Sequence, residues 1–344
     1  MELDEATGLA PEIHQPTSIR MEIPILERLK AGEKFDFPTL AENVDQTQRF
    51  WDWWWQTKVR GEVIERPEII ADNDPILDLT ISKPLVEFNR YPEFFHHFLQ
   101  RAIKAGCLPA SGKLPRAQFG EALKQHMMGS SVYLGTRPQL VFAGGGYGSG
   151  KTTILNFLAR EERLPVEMRH MVGVDVFKPL VPEYNLITAV GDGRASLTVQ
   201  AECQQIASDL FEIFVESRRS FIWDSSMSDA AATEARIQQA RDEGYELTMI
   251  AVLTPLEVAI RQAMGRAQDS HRFPNPVALP KSHVDFRAAF HSYVPLFDEV
   301  IVFANQGGGT DNCFVIAEKT AEMNQLAIHD KELFRSALAA PKTA

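Results

Sequence analysis

Short apolar runs alternate with longer segments of mixed apolar and polar residues over the second half of the chain. Five of the runs are apolar enough to predict buried strands. They lie at residues 140–143, 170–175, 220–224, 247–254 and 300–305. The segments between them have the spacing of amphipathic helices. Strands that alternate with helices in this way predict an α/β fold with a doubly wound parallel sheet of about five strands.

The pattern changes upstream of these strands. Residues 1–40 are rich in proline, glutamate and short polar residues and predict a partly ordered arm. Residues 41–134 predict a mainly helical region, and the α/β domain is expected over residues 135–320. Residues 321–344 predict a C-terminal helix and tail.

The first predicted strand leads into a glycine-rich turn, and a helix is expected to begin at Lys151. Residues 145–152 fit G-x-x-x-x-G-K-[ST], the phosphate loop of ATP- and GTP-using proteins, in the strand and helix context that this motif needs. Glycines bring backbone amides close to a polyphosphate, and the helix N-terminus points its positive end at the same anion. The predicted nucleotide-binding residues of the loop are Gly145, Gly146, Gly148, Ser149, Gly150, Lys151, Thr152 and Thr153. Lys151 is expected at the β- and γ-phosphates, and Thr152 in the shell of a Mg²⁺ ion.

Two aspartates end the second and third predicted strands. These are Asp175 in MVGVDVFKPLVPEY and Asp224 in SFIWDSSM. Because the carboxyl ends of parallel strands share one edge of the sheet, both are expected beside the phosphate loop. A carboxylate there takes a proton from an attacking hydroxyl or holds Mg²⁺ through water, and the sequence leaves these two roles open. The alternative for either residue is a helix N-cap.

Three arginines lie close together in the segment VAIRQAMGRAQDSHRFPNP, at positions 261, 266 and 272. Phosphoryl transfer places negative charge on the oxygens of the transferred group, and arginines on a closing lid neutralise that charge. The alternative is an ordinary charged helix face. No N-K-x-D motif follows in the sequence, which favours ATP over GTP.

The charge balance limits the class of partner. The 344 residues carry a formal net charge of -11, which disfavours a long nucleic acid or an anionic membrane surface as the target. The three cysteines are far apart in the sequence and predict reduced thiols in a cytoplasmic protein. The first residues are unlike a signal peptide, and no apolar run has the length of a membrane span.

Taken together, these motifs resemble the zeta toxin family of P-loop kinases. The matching segments are GGGYGSGKT, GVDVFKPLVPEY, a helix that carries Glu202, FIWDSS, the arginine segment that ends in HRFPNPVALPKSH, and VIVFAN. They span about residues 137–315. The resemblance implies a P-loop NTPase-type sheet and a kinase that uses ATP and Mg²⁺ to phosphorylate a hydroxyl of UDP-N-acetylglucosamine. It also implies a small antitoxin as a protein partner.

The resemblance also implies roles for individual residues. Those at the reacting phosphate are Lys151, Asp175 as catalytic base, Arg266 and Arg272, and Asn305 is expected near the adenine. Residues expected to bind the acceptor are Lys178, Glu202, Asp224, Ser225 and Ser226. The family usually has Glu-Gly-Thr or Asp-Gly-Thr where this chain has Asp224-Ser225-Ser226, so the contacts to the acceptor hydroxyl are expected to differ.

The long N-terminal region is compatible with a related branch of the family. That branch contains a type III effector that phosphorylates NAD and pairs with a small chaperone, so NAD is a second candidate acceptor and delivery into a host cell a second location. Other classes stay open, namely an ATPase or nucleotide switch and a polynucleotide 5'-hydroxyl kinase. A further alternative is a binding protein whose working surface is the tryptophan cluster at positions 51, 53, 54 and 55.

Overall fold

The structure is a computed structural model that describes residues 85–87, 113–130, 137–167, 170–181, 183–184, 195–270, 274 and 278–339. Three of the predictions fall outside these residues. They are the N-terminal arm over residues 1–40, the tryptophan cluster and the position of Arg272.

Strands and helices alternate through the described part of the chain. The strands are β1 (Leu85–Glu87), β2 (Lys113–Pro115), β3 (Gln139–Gly144), β4 (Met171–Val172), β5 (Phe221–Asp224), β6 (Glu246–Leu253), β7 (Glu299–Asn305), β8 (Cys313–Lys319) and β9 (Ala327–Ile328). The α-helices are α1 (Arg116–Ser130), α2 (Lys151–Arg160), α3 (Val174–Phe177), α4 (Ala195–Thr198), α5 (Gln200–Glu216), α6 (Ala230–Asp242), α7 (Leu256–Ser270), α8 (Ala278–Tyr293) and α9 (Lys331–Leu338). Short 3-10 turns occupy Lys178–Leu180, Val294–Leu296 and Thr310–Asn312.

Within the described residues, seven strands form one sheet in the order β4-β5-β3-β6-β7-β8-β9. The first five of these strands are parallel neighbours, and β8 and β9 continue the sheet as antiparallel strands. A separate antiparallel pair joins β1 to β2 ahead of α1, in the region predicted to be mainly helical. The predicted fold class is confirmed, and the two antiparallel edge strands are an addition to it.

The second predicted strand is much shorter than expected. The chain pairs with β5 only through Met171 and Val172, and it turns into α3 at Val174. Asp175 therefore lies in the first turn of a short helix, and its predicted position at a strand end is wrong. The reason is local: β4 is the edge of the sheet and has a single neighbour, so few ladder bonds hold the chain extended.

Both faces of the sheet are buried, which explains why its strands are continuous apolar runs. Leu140 and Phe142 of β3 face a cluster that includes residues of α1, α5 and α8. Val141 and Ala143 face a second cluster that is built with α2. The side chains of β3 alternate between these two clusters, so helices cover both faces of the sheet. The glycine-rich turn follows the last residue of β3.

A helix needs about 20 mostly apolar residues to cross a bilayer. No helix in the described part of the chain meets that requirement.

Candidate active site

The phosphate loop connects β3 to α2, as the motif predicts. Gly150 precedes the helix with φ 91°, a left-handed conformation that glycine adopts without strain, and α2 begins at Lys151. Gly146 has a different reason to be glycine. A Cβ atom there would lie 2.2 Å from the ring of His283, so the loop backbone packs directly against α8.

Lys151 reaches back over the loop. Its Nζ donates a hydrogen bond to the Gly145 carbonyl oxygen at 2.9 Å and lies 3.9 Å from Oδ1 of Asp224. The ammonium group therefore sits between the loop backbone and the carboxylate at the end of β5. A positive charge at this point faces the position where the loop amides would hold a polyphosphate.

Two side chains of α8 fix the middle of the loop. The Tyr147 amide donates to Oγ of Ser282 at 3.0 Å, and Nε2 of His283 lies 2.9 Å from the Tyr147 carbonyl oxygen. Both of these α8 residues are buried. Their contacts with the loop were not predicted. A serine and a histidine over 130 positions away carry no signal of such a contact in the sequence.

The buried His283 makes the fold sensitive to acid. Burial lowers the pKa of His283 from 6.5 to about 4; the contact with Tyr147 opposes this shift, and the charges of Arg287 and Lys151 add to it. Because the pKa is lower in the folded state, the unfolded chain binds the extra proton first as the pH falls. The stabilising effect is complete above the unfolded pKa and is lost as the pH falls towards the folded pKa. We expect the free energy of unfolding to decrease by about 2 kcal/mol between pH 7 and pH 5 on account of this group.

Urea unfolding of the wild type and of His283→Gln at these two pH values measures this effect. Glutamine keeps a donor for the Tyr147 carbonyl and removes the titration, so His283→Gln should lose less stability in acid. His291→Gln, on the exposed side of the same helix, is the control and should behave like the wild type. Equal acid sensitivity of His283→Gln and the wild type would contradict the prediction.

The end of the loop is held by residues that follow β6 and close β7. Oγ1 of Thr254 donates to the Ser149 carbonyl oxygen at 2.8 Å, and Nδ2 of Asn305 donates to the same oxygen at 2.7 Å. Oδ1 of Asn305 accepts a bond from the Gly307 amide at 2.8 Å. Arg287 donates to the Thr254 carbonyl at 2.6 Å and so adds α8 to this bracing. The side chain of Asn305 thus contacts the loop itself, and its proximity to an adenine stays a prediction.

Two buried polar atoms of the site have no hydrogen-bond partner among the described residues: Oγ of Ser149 and Oδ1 of Asp224. Burial raises the pKa of Asp224, the charge of Lys151 opposes the shift, Asp175 adds to it, and Arg266 opposes it. Buried polar atoms are normally satisfied, so these two indicate the place of a missing polar ligand. A phosphate oxygen suits the hydroxyl, and a divalent cation, directly or through water, suits the carboxylate.

A Mg²⁺ ion that is bound with a nucleotide needs only one or two ligands from the protein, and the groups of this site can supply them. Thr152 stands half-buried at the start of α2, beside the Lys151–Asp224 pair. No group of three or more His, Cys, Asp or Glu residues in the described ranges forms a metal cage. This fits an ion that takes most of its ligands from phosphates and water.

Asp175 is the most accessible carboxylate of this group, with 55% of its side chain exposed. Its Oδ1 lies 2.7 Å from Nζ of Lys178, and the buried Lys178 also donates to Oγ of Ser196 at 2.8 Å. A carboxylate held in this way has a fixed orientation and open access. Both properties suit a general base.

The short segment after β5 presents hydroxyl groups at the same edge of the sheet. The Ser225 amide bonds to the Ala143 carbonyl at 3.2 Å, which keeps this segment beside β3. Oγ of Ser225 accepts from the Met227 amide at 3.2 Å, and Oγ of Ser226 lies 2.7 Å from that of Ser228. These partly exposed serines stay candidates for acceptor contacts.

Glu202 has a different environment from that expected of an open substrate-binding acid. It is buried, and both of its oxygens accept bonds from Arg116, at 2.6 and 2.7 Å. Glu183 binds the same guanidinium at 2.6 and 3.0 Å. Burial lowers the pKa of Arg116, but the hydrogen bonds to Glu202 and Glu183 outweigh it and raise the pKa above its ordinary value. Arg116 was not predicted as a site residue, because it lies upstream of every motif.

Arg266 of α7 is exposed, and its charge acts on the carboxyl group of Asp224. Its contact with the transferring phosphate stays a prediction. Lys151 and Asp224 are brought together at 3.9 Å, and Asp175 follows β4, the strand that pairs with the Asp224 strand β5.

A phosphate loop and carboxylates at the carboxyl edge of a mainly parallel sheet define a P-loop protein equipped for phosphoryl transfer. The model of the family described as Zeta toxin matches residues 129–307, just over half of the 344 residues. The chain therefore belongs to the zeta toxin family, and the resemblance inferred from its motifs is confirmed. The family makes it a phosphotransferase of the P-loop kinase type.

Two solved structures with TM-scores above 0.5 support the fold. The AvrRxo1-ORF1:AvrRxo1-ORF2 complex matches with 17% sequence identity and a TM-score of 0.51, over 69% of this chain and 76% of that chain. The same complex determined with ATP also has 17% identity and a TM-score of 0.51, over 68% and 75% of the two chains. A structure of the PezAT chromosomal toxin-antitoxin system of Streptococcus pneumoniae has 15% identity and a TM-score of 0.45, over 64% and 93%. No curated protein matches the sequence.

Proposed function

We propose that the chain is an ATP-dependent small-molecule kinase. It transfers the γ-phosphate of ATP to a hydroxyl of a nucleotide-linked metabolite, either UDP-N-acetylglucosamine or NAD. The observation that carries the proposal is the position of Lys151, whose Nζ lies 2.9 Å from the Gly145 carbonyl oxygen of the phosphate loop and 3.9 Å from Oδ1 of Asp224 at the end of β5. A carboxylate beside the phosphate loop can accept a proton from an acceptor hydroxyl or from water, so transfer to an acceptor is what separates a kinase from an ATPase.

The residues divide the reaction between them. Loop amides and Lys151 hold the β- and γ-phosphates, and Arg266 neutralises charge on the transferring group. Asp175, oriented by Lys178, takes the proton of the acceptor hydroxyl as its oxygen bonds to phosphorus and the bond to the ADP oxygen breaks. Thr152 and Asp224 are the residues that would hold Mg²⁺ on the protein side, and the ion would supply positive charge to the phosphates.

The acceptor site is proposed along the same edge of the sheet. Ser225 and Ser226 are partly exposed there and offer hydroxyl groups, and the Asp175–Lys178 pair borders the same region. These groups suit an acceptor that is rich in hydroxyls, such as a ribose or a hexose linked to a nucleotide. These groups are compatible with either UDP-N-acetylglucosamine or NAD as the acceptor.

A protein partner is part of the proposal. AvrRxo1-ORF1 was solved together with AvrRxo1-ORF2, and also with ATP. By analogy we propose a small antitoxin or chaperone for this chain, and action in the cytoplasm of the producing cell or of a cell to which it is delivered.

Transfer from γ-labelled ATP tests the function. Wild-type protein with ATP and Mg²⁺ is incubated with UDP-N-acetylglucosamine, NAD, nucleosides or a 5'-hydroxyl oligonucleotide, each in a separate reaction. The proposal expects label on one of the two nucleotide-linked metabolites. Label on the oligonucleotide alone would show a polynucleotide kinase, and release of labelled phosphate without any labelled acceptor would support an ATPase or switch.

A further inference from the structure

A buried ionic cluster lies beside the proposed acceptor region, and the reaction described above does not use it. This Arg116 cluster consists of Arg116, Glu183 and Glu202, each less than a tenth exposed. The guanidinium forms two bonds with each carboxylate, at distances between 2.6 and 3.0 Å. One arginine thus serves two acids in the fork geometry that lysine cannot reproduce.

The cluster joins three segments of the chain through Arg116. Arg116 begins α1, Glu202 lies in the first turn of α5, and Glu183 follows the turn that leads out of α3, the helix of Asp175. Helix α3 packs directly on α5. The arginine therefore links the segment that carries the proposed base to the helix behind it.

Cys203 follows Glu202 on α5, and its side chain is fully buried. Burial raises the pKa of this thiol, the charge of Lys178 opposes the shift, and the charge of Glu202 adds to it. Cys203 is therefore a buried probe next in sequence to a member of the Arg116 cluster.

Anchorage of α1 alone does not account for Arg116. The same two helices are joined by Lys124 and Asp209 at 2.9 Å, and Phe119 and Leu123 are fully buried in the common core. Buried ion pairs are expensive to desolvate, and apolar residues of similar volume often stabilise a protein as well or better. The cluster is therefore better explained as a device that holds α5 and the Glu183 segment at a fixed spacing than as a source of stability.

We propose that Arg116 is a positioning residue for acceptor phosphorylation. It sets the distance between α5 and the Glu183 segment and thereby places Asp175 against the acceptor hydroxyl. This inference rests on the proposed function. It also extends the catalytic unit upstream of residues 129–307, the part matched by the family model, because α1 begins at Arg116.

The main test is Arg116→Lys. Lysine keeps the positive charge but cannot bind both carboxylates with paired bonds, so the two segments should lose their fixed spacing while the protein stays folded. Small displacements of reacting groups cost up to roughly 100-fold in rate, and we expect kcat/KM for the acceptor to fall by at least about tenfold. The Kd for ATP should stay within about twofold of the wild type, because Arg116 does not contact the phosphate loop.

Lys124→Met is the matched control, since it removes another ionic link between α1 and α5 that has no contact with the Arg116 cluster. It should leave the acceptor kinetics unchanged. If Arg116→Lys does not fold, Glu183→Gln replaces it. This variant weakens one arm of the cluster only, and it is expected to lower kcat/KM for the acceptor by a smaller factor.

The rate of Cys203 alkylation gives a readout that does not depend on kinase activity. It is measured in a Cys107→Ser/Cys313→Ser background, with and without Arg116→Lys. A loosened cluster should raise the rate by about tenfold, because exchange of a buried thiol depends on local opening. If the wild type phosphorylates no acceptor, the proposed function fails and the positioning role fails with it, whereas faster alkylation would then show only that Arg116 fixes the packing around Cys203. Unchanged alkylation together with unchanged acceptor kinetics in folded Arg116→Lys would overturn the inference.

Discussion

Lys151→Ala is expected to reduce phosphate transfer by about a thousandfold, the effect of removing a preorganised charge from a reacting phosphoryl group. The ammonium lies between the Gly145 carbonyl and Asp224, at 2.9 and 3.9 Å. Its removal takes away the positive charge aimed at the phosphates and leaves the buried Asp224 carboxyl without its nearest counter-charge. Both consequences weaken the binding of ATP with Mg²⁺ and slow the transfer of its γ-phosphate.

Initial rates of acceptor phosphorylation at saturating ATP measure this loss. The control is Lys281→Ala, which removes an exposed lysine that is paired with Asp285 on α8 and next to the loop-bracing Ser282. It should keep wild-type rates. A Lys151→Ala protein that is folded and transfers phosphate at the wild-type rate would contradict the placement of ATP in this loop.

Asp175→Asn should lower kcat by roughly 10²- to 10⁴-fold, the usual contribution of a general base. Asparagine has nearly the same shape, and its carbonyl oxygen still accepts the bond from Lys178, so the local structure should persist. It cannot accept the proton of the acceptor hydroxyl. The Kd for ATP should therefore hardly change while the chemical step slows.

Steady-state kinetics and ATP binding, measured on the same preparation, separate these effects. Asp285→Asn is the control, because it neutralises an aspartate of α8 outside the group around Asp224. It should behave like the wild type. Retention of the full kcat for acceptor phosphorylation in Asp175→Asn would remove Asp175 from the role of base.

The sequence predicted the parts of the fold that local patterns encode. The phosphate loop follows from a fixed motif, and β3, β5, β6 and β7 are continuous apolar runs because both of their faces are buried. Edge strands have weaker signals. Only two residues of β4 pair with the sheet, so the run at residues 170–175 predicted a longer strand than forms, and the two residues of β9 are too few to give a recognisable run.

The site could be predicted only as far as its residues belong to motifs. Lys151 and Asp224 stand in recognisable segments, and Asp175 was found although its helix was not. The partners that fix them come from distant parts of the chain: Arg116 lies 86 positions from Glu202, and His283 lies 136 positions from Tyr147. Such contacts result from tertiary packing, which a single sequence does not display.

The most direct test of the account is the ratio of phosphorylated acceptor to ADP produced by the wild-type protein. Both products are quantified in the same reaction with ATP, Mg²⁺ and either UDP-N-acetylglucosamine or NAD, and again without an acceptor. A kinase that uses Asp175 as base should form the two products in equal amounts and release little ADP when the acceptor is absent. ADP formed at the same rate with and without an acceptor, and with no phosphorylated product, would contradict the proposal that this chain is a small-molecule kinase.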